Sequence, residues 1–191
     1  MKLDVNINYI VSGLERSGTS MIMQILCAVH VPVAFDDLRL PDENNPKGYF
    51  ELEGGKIINK LMNGTFPLQK YQGQFIKITA YGLLYLPKGK YKIIYIERNL
   101  EEILDSMQKM SPIVDLEPEK TKESFMRLNK KVKHEIHMRQ DIEVLFVNFN
   151  DIIISPKNHI ERICSFIQIP TSCSTKMIDA IENRLYRQKR K

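Results

Sequence analysis

Two short sets of residues in this sequence have the types and spacing to grip phosphate-like anions. The first is Gly13-Leu14-Glu15-Arg16-Ser17-Gly18-Thr19-Ser20, between the apolar run Tyr9-Ile10-Val11 and a pattern of helical period. Two glycines, three hydroxyls and one cation at a strand-to-helix turn leave backbone N–H groups pointing outward. The helix start adds a favourable dipole, so an anion is the natural guest. Gly13, Arg16, Ser17, Gly18, Thr19 and Ser20 are the candidate binding residues. The second set is Arg98, at the end of the run Tyr91–Glu97, with Ser106 about two turns into the next helical pattern. A guanidinium can grip a phosphate through two parallel bonds, and a nearby hydroxyl can add a third.

The elements that must carry these residues alternate between strand and helix. Strands are expected over Asn6–Ser12, Val31–Phe35, Gln74–Ala80, Tyr91–Glu97 and Glu143–Phe149. Their contiguous β-branched and aromatic runs suit strands covered on both faces. Helices are expected over Ser17–Val29, with Ser17 or Thr19 as its cap, and over Lys56–Asn63, Asn99–Met110, Glu117–Gln140, Pro156–Ile167 and Ser174–Arg187. Pro41 to Gly55 reads as a long functional loop, with Tyr49-Phe50 packing it down. The expected fold is α/β, a three-layer sandwich whose mostly parallel sheet carries helices on both faces, in the manner of P-loop NTPases. Ligands of such sheets lie at the carboxyl ends of the strands, where Gly13, Arg98 and Asp36 emerge.

Bulk properties bound the function class. The chain has 191 residues, 43% hydrophobic and 27% charged, values of a globular domain, and a single domain over residues 1–191 is expected. The formal net charge is +5, and Arg187-Gln188-Lys189-Arg190-Lys191 supplies four of the positive charges. A solvated helix end explains this basic tail, and no nucleic-acid partner is expected. Cys27, Cys164 and Cys173 lack the paired spacing of disulfides or zinc sites, and His30, His134, His137 and His159 are scattered. No metal is expected. The N-terminus enters a strand with no preceding signal-peptide core, and no apolar run is long enough to span a bilayer. The expectation is a cytoplasmic protein without a transmembrane segment.

Gly13 and Gly18 stand at the G-x4-G separation of a Walker A loop, but Thr19 occupies the place of its lysine and Arg16 supplies the cation instead. With that displacement, Gly13–Ser20 resembles the 5′-phosphosulfate loop of sulfotransferases that use 3′-phosphoadenosine 5′-phosphosulfate (PAPS). Arg98 with Ser106 resembles their 3′-phosphate site. Asn45-Pro46-Lys47-Gly48-Tyr49-Phe50-Glu51 is similar to a segment of small microbial members. Val147–Ile152, Pro156 and Cys164–Pro170 are similar to the family's last strand and helix. The resemblance spans residues 8–170 and implies transfer of a sulfuryl group from PAPS to a hydroxyl or amine, with 3′,5′-ADP as product and no metal. Sugars, lipids, peptides and small molecules all remain open as acceptors.

Under this resemblance Arg16 is the cation that meets charge developing on the leaving phosphate, the largest catalytic contribution to expect in such a transfer. Lys77, in Lys77-Ile78-Thr79, resembles the lysine that touches the sulfuryl group. Thr79 stands where cytosolic sulfotransferases carry a histidine base, and threonine is no base at neutral pH. A carboxylate is then required, and Asp36, Asp37 (followed by Arg39) and Glu51 are the candidates. Leu185-Tyr186-Arg187 is a candidate closure over the nucleotide, and the family's Arg-Lys-Gly nucleotide loop is absent. Two other readings stay open: a P-loop nucleotide kinase or phosphotransferase with an altered loop, and a non-catalytic relative that binds a nucleotide or partner.

Overall fold

The computed structural model describes residues 1–43, 45–110 and 113–182. Its centre is a four-stranded, all-parallel sheet of β1 (Asn8–Gly13), β2 (Phe75–Lys77), β3 (Tyr91–Glu97) and β4 (Ile142–Asn148), in the order β2-β1-β3-β4. Between them run α1 (Thr19–Ala28), α2 (Ile57–Met62), α3 (Leu100–Met110) and α4 (Pro118–Met138). After β4 come α5 (Phe149–Ile154), α6 (Pro156–Ile167) and α7 (Ser174–Asp179).

Alternation along each strand divides the core into two layers. Tyr9, Val11, Ile94, Ile96 and Val147 face α1, α6 and α7, meeting Ile22, Met23, Leu26, Ile160, Ile163 and Met177. Ile10, Ile76, Ile93 and Tyr95 face the opposite way, toward Leu61 of α2, Ile103 of α3 and Val132 and Ile136 of α4. The expected α/β sandwich with helices on both faces is therefore the observed one. No helix among the described residues is long and apolar enough to cross a membrane. Cys27, Cys164 and Cys173 are free thiols.

Several expected boundaries change. Val31–Phe35 does not form a strand: only Val33 bridges Phe75, because Pro32 has no N–H to offer and gives only its carbonyl to the ladder. Gln74–Ala80 shortens to β2, after which the chain turns into a 3₁₀ segment, Ala80–Tyr85. Neither Ser17 nor Thr19 caps α1; its N-cap is Gly18, with no side-chain cap. Of the expected terminal helix Ser174–Arg187, Ser174–Asp179 is helical. Residues 185–187 and the basic tail lie outside the described residues. Helix α5 replaces the assumed end of β4, and the Asn148 side chain starts it by accepting from the N–H groups of Asn150 and Asp151.

The strand order positions the site. The chain leaves β1 for β2 on one side and crosses to β3 on the other, so the connections after β1 and β3 diverge. Such a switch point opens a crevice at the carboxyl ends of the strands. Gly13 is in register with Ile96, which brings the loop after β1 beside Arg98.

Candidate functional site

A cavity of about 490 Å³ opens at this crevice, lined by Arg16, Gly18, Thr19, Ser20, Arg39, Tyr49, Glu51, Lys77, Arg98 and Phe149 among others. Glu15, Arg16 and Gly18 of the loop after β1 line it. Gly13 and Gly18 have φ of 156° and 109°. A Cβ on Gly13 would lie 2.5 Å from the Ile96 carbonyl oxygen, and one on Gly18 would lie 2.4 Å from the Phe149 ring. Tight packing of strand, loop and α5 thus leaves room for hydrogen only. Gly18→Ala is expected to destabilise the fold by at least ~2 kcal/mol and to abolish anion binding, through the left-handed φ and this clash. Chemical denaturation and nucleotide titration of the variant check both effects.

With Gly18 as N-cap and no side chain capping it, the Thr19 and Ser20 amides at the start of α1 remain available to an anion, while the Met21 amide donates to the Gly18 carbonyl. The Ser17 hydroxyl, wholly buried beneath the loop, has no hydrogen-bond partner among the described residues. Arg16 has φ 63°, a left-handed conformation unusual for a bulky residue and of the kind that gathers at functional sites.

Arg16, Arg98 and Ser106 meet in one corner. Arg16 Nε donates to Ser106 Oγ at 3.1 Å, and Arg98 Nη1 donates to the Arg16 carbonyl at 3.0 Å. Burial, with Arg98 nearby, pushes the Arg16 guanidinium below its ordinary pKa. Arg98 is itself held on two further sides. Its Nε donates to Glu102 Oε2 at 3.0 Å, and its guanidinium lies 4.6 Å from the Phe149 ring centroid. Glu102 is only 1% exposed, and its other oxygen accepts from Asn150 Nδ2 at 3.2 Å. From the sequence, Arg98 could be expected to pair with a neighbouring Glu, but Glu102, Asn150 and Phe149 were not assigned to it. The available signals were the i,i+4 spacing of Arg98 and Glu102 and the Asn148 cap that starts α5.

A second cationic pole forms around Lys77, at the end of β2. Its ammonium reaches Ser20 Oγ at 3.3 Å, the Tyr49 carbonyl, and Glu51 Oε1 at 2.8 Å. Glu51 also pairs with Arg39 at 3.0 Å, and the Arg39 guanidinium sits 3.5 Å from the Tyr49 ring centroid. Burial pushes the Lys77 ammonium below its ordinary pKa despite Glu51. Burial alone would raise the Glu51 carboxyl, but Lys77 and Arg39 together hold it below 4.5, its ordinary value.

A group whose folded pKa is depressed adds stability above its unfolded pKa and loses it as pH falls through the folded one. Glu51→Gln should therefore be less stable than the wild type at neutral pH, with the gap narrowing below pH 4.5. Denaturant unfolding at pH 7 and at pH 3 reads that difference.

The three expected carboxylates separate here. Glu51 lines the cavity, whereas Asp36 and Asp37 do not. The Asp36 carboxylate is engaged in loop architecture, accepting from the N–H groups of Leu38 (3.0 Å) and Glu53, and Asp37 is exposed. Thr79 lines the same cavity as Lys77. Among the described residues, no group of three or more His, Cys, Asp or Glu side chains could hold a metal ion.

The model of the sulfotransferase domain matches residues 7–191 of this chain. The protein belongs to the sulfotransferase family. It is thus a transferase that moves a sulfuryl group, as the loop and Arg98–Ser106 pairing led us to expect. The sulfotransferase domain of the Synechococcus PCC 7002 olefin synthase has a similar structure, with a TM-score of 0.54 and 16% identity over 86% of this chain and 74% of that one. The mouse sulfotransferase SULT7A1, in a crystal structure complexed with PAP, gives a TM-score of 0.55 at 14% identity, covering 92% of this sulfotransferase and 63% of the mouse chain. At such identities the likeness speaks for the fold. No curated protein matches the sequence.

Proposed function

We propose that this sulfotransferase takes its sulfuryl group from PAPS and passes it to a hydroxyl or amine, releasing 3′,5′-ADP (PAP). The observation that carries this reading is a cavity with two cationic corners, Arg16 with Arg98 and, apart from them, Lys77, beside one open helix start. PAPS carries two phosphate groups on one ribose, at the 3′ and 5′ oxygens, with the sulfuryl group on the 5′-phosphate. The residues present suit it: the uncapped amides of α1 and the unpartnered Ser17 hydroxyl are donors in search of an acceptor.

The roles divide between the two poles. Arg98 and Ser106 hold the 3′-phosphate, with Glu102 and Phe149 fixing the Arg98 fork. The loop amides, Ser17, Thr19 and Ser20 hold the 5′-phosphate. Arg16 belongs to the loop and to the Arg98 corner alike, and its charge serves the phosphate that leaves. Lys77 meets the sulfuryl group, and Glu51 takes the acceptor's proton. The acceptor oxygen or nitrogen bonds to sulfur as the bond from sulfur to the bridging oxygen breaks. The proton passes to Glu51, and the electron pair stays on PAP. No metal enters this scheme, because guanidinium, ammonium and amide groups answer the charge.

The test is transfer from PAPS labelled in its sulfuryl group to a panel of phenols, sugars, amines, lipids and tyrosine peptides, without added divalent metal. Labelled product together with PAP supports the proposal. Mg²⁺-dependent ATP turnover in place of sulfuryl transfer would indicate the phosphotransferase reading. Nucleotide binding without transfer to any acceptor would indicate the non-catalytic one.

A further inference from the structure

The carboxylate best placed to act as base is engaged with the ammonium that should receive the sulfuryl group. Glu51 Oε1 lies 2.8 Å from Lys77 Nζ, and Glu51 is 13% exposed against 5% for Lys77. A sulfuryl group presents anionic oxygens much as a carboxylate does, so the two compete for one buried cation. From this geometry we infer that Glu51 is an internal stand-in for the sulfuryl group, displaced by the donor and thereby released to serve as base. The inference rests on the PAPS reading above.

The segment is built to exchange. Its neighbours Phe50 and Glu53 are held at φ 54° and 53°, in the left-handed region that non-glycine residues rarely occupy. Gly54 and Gly55 follow at φ 61° and 87°. A Cβ on Gly55 would lie 2.7 Å from Glu51 Oε2, so the carboxylate is seated against bare backbone. The Tyr49 carbonyl rests on Ser20 Oγ at 3.2 Å and on Lys77, which ties the segment to the anion loop itself. Arg39, on the solvent side of Glu51 and 40% exposed, gives the displaced carboxylate a second cation to stay with.

Displacement also sets an order. While Glu51 is bound to Lys77, its basicity is suppressed and the sulfuryl place is filled. Once the sulfuryl group takes Lys77, Glu51 loses its strongest buried partner and becomes a better proton acceptor. The donor therefore binds productively before the acceptor, and PAP, which lacks the sulfuryl group, leaves Glu51 where it is.

PAP and PAPS together make the test, with no acceptor needed. Calorimetry of Glu51→Gln should show PAPS binding at least about tenfold tighter than in the wild type, because a neutral amide holds the ammonium less firmly. PAP affinity should stay within about twofold. Glu51→Asp, which keeps the charge but shortens its reach, should shift PAPS in the same direction by less. The chain contains no Trp, so Phe50→Trp installs one reporter beside Glu51. Its emission should change on adding PAPS and not on adding PAP. Equal affinity of the wild type and Glu51→Gln for PAPS, or a silent reporter with PAPS bound, overturns the inference. Failure of the wild type to bind either nucleotide counts instead against the PAPS reading.

Discussion

Arg98→Ala is expected to lose both the nucleotide and a large part of the fold's stability. In the proposed site Arg98 is the fork for the 3′-phosphate, but it also faces Glu102, whose carboxylate is 1% exposed, and braces the Arg16 carbonyl. Removing one partner of such a buried pair costs about 3–5 kcal/mol, beyond what an exposed pair would show. Loss of the fork weakens PAP by roughly two orders of magnitude or more. Arg98→Lys should separate the effects, since it keeps a charge for Glu102 and loses the planar two-point grip. Denaturant unfolding and PAP calorimetry on both variants provide the check. Wild-type affinity in Arg98→Ala would assign Arg98 a purely structural role.

Lys77→Met is expected to show the opposite profile. The methionine removes a buried charge with little change of volume, and Glu51 retains Arg39. Because Arg39 still pairs with Glu51, stability should fall by less than the about 3–5 kcal/mol that a buried charge left without any partner costs. Lys77 holds Ser20, Tyr49 and Glu51, none of which belongs to the Arg98 corner. PAP affinity should accordingly survive. The transfer step should slow by about 10²–10³-fold, the usual consequence of removing one preorganised donor from the reacting centre. Single-turnover formation of PAP from PAPS, with an acceptor that the panel identifies, reads this directly. An unchanged rate would place the sulfuryl group away from Lys77.

The main lines of the fold were legible because they are local. Tyr9-Ile10-Val11 running into Gly13, and Tyr91–Glu97 running into Arg98, carry strand and turn signals within a few residues. The same runs carried the loop and Arg98 into the site. Other features depend on tertiary contacts. Asp36 and Glu51 are both loop acids in the sequence, and only folding turns one toward Leu38 and Glu53 and the other toward Lys77. Glu102 looks like a solvent-facing helical acid, yet the meeting of α3 with α5 buries it. Val31–Phe35 has β-prone residues but carries Pro32, which limits it to a bridge. Arg16 was readable as the loop's cation, whereas its bond to Ser106 was not, because ninety residues separate them.

In the proposed site one cavity binds a nucleotide carrying phosphates at both the 3′ and 5′ positions of its ribose. Calorimetric titration with PAP and with 5′-AMP, at equal ionic strength and without divalent metal, addresses it most directly. PAP should bind at least about a hundredfold tighter, since only PAP supplies the second phosphate for Arg98 and Ser106. Equal affinity for the two nucleotides would contradict it.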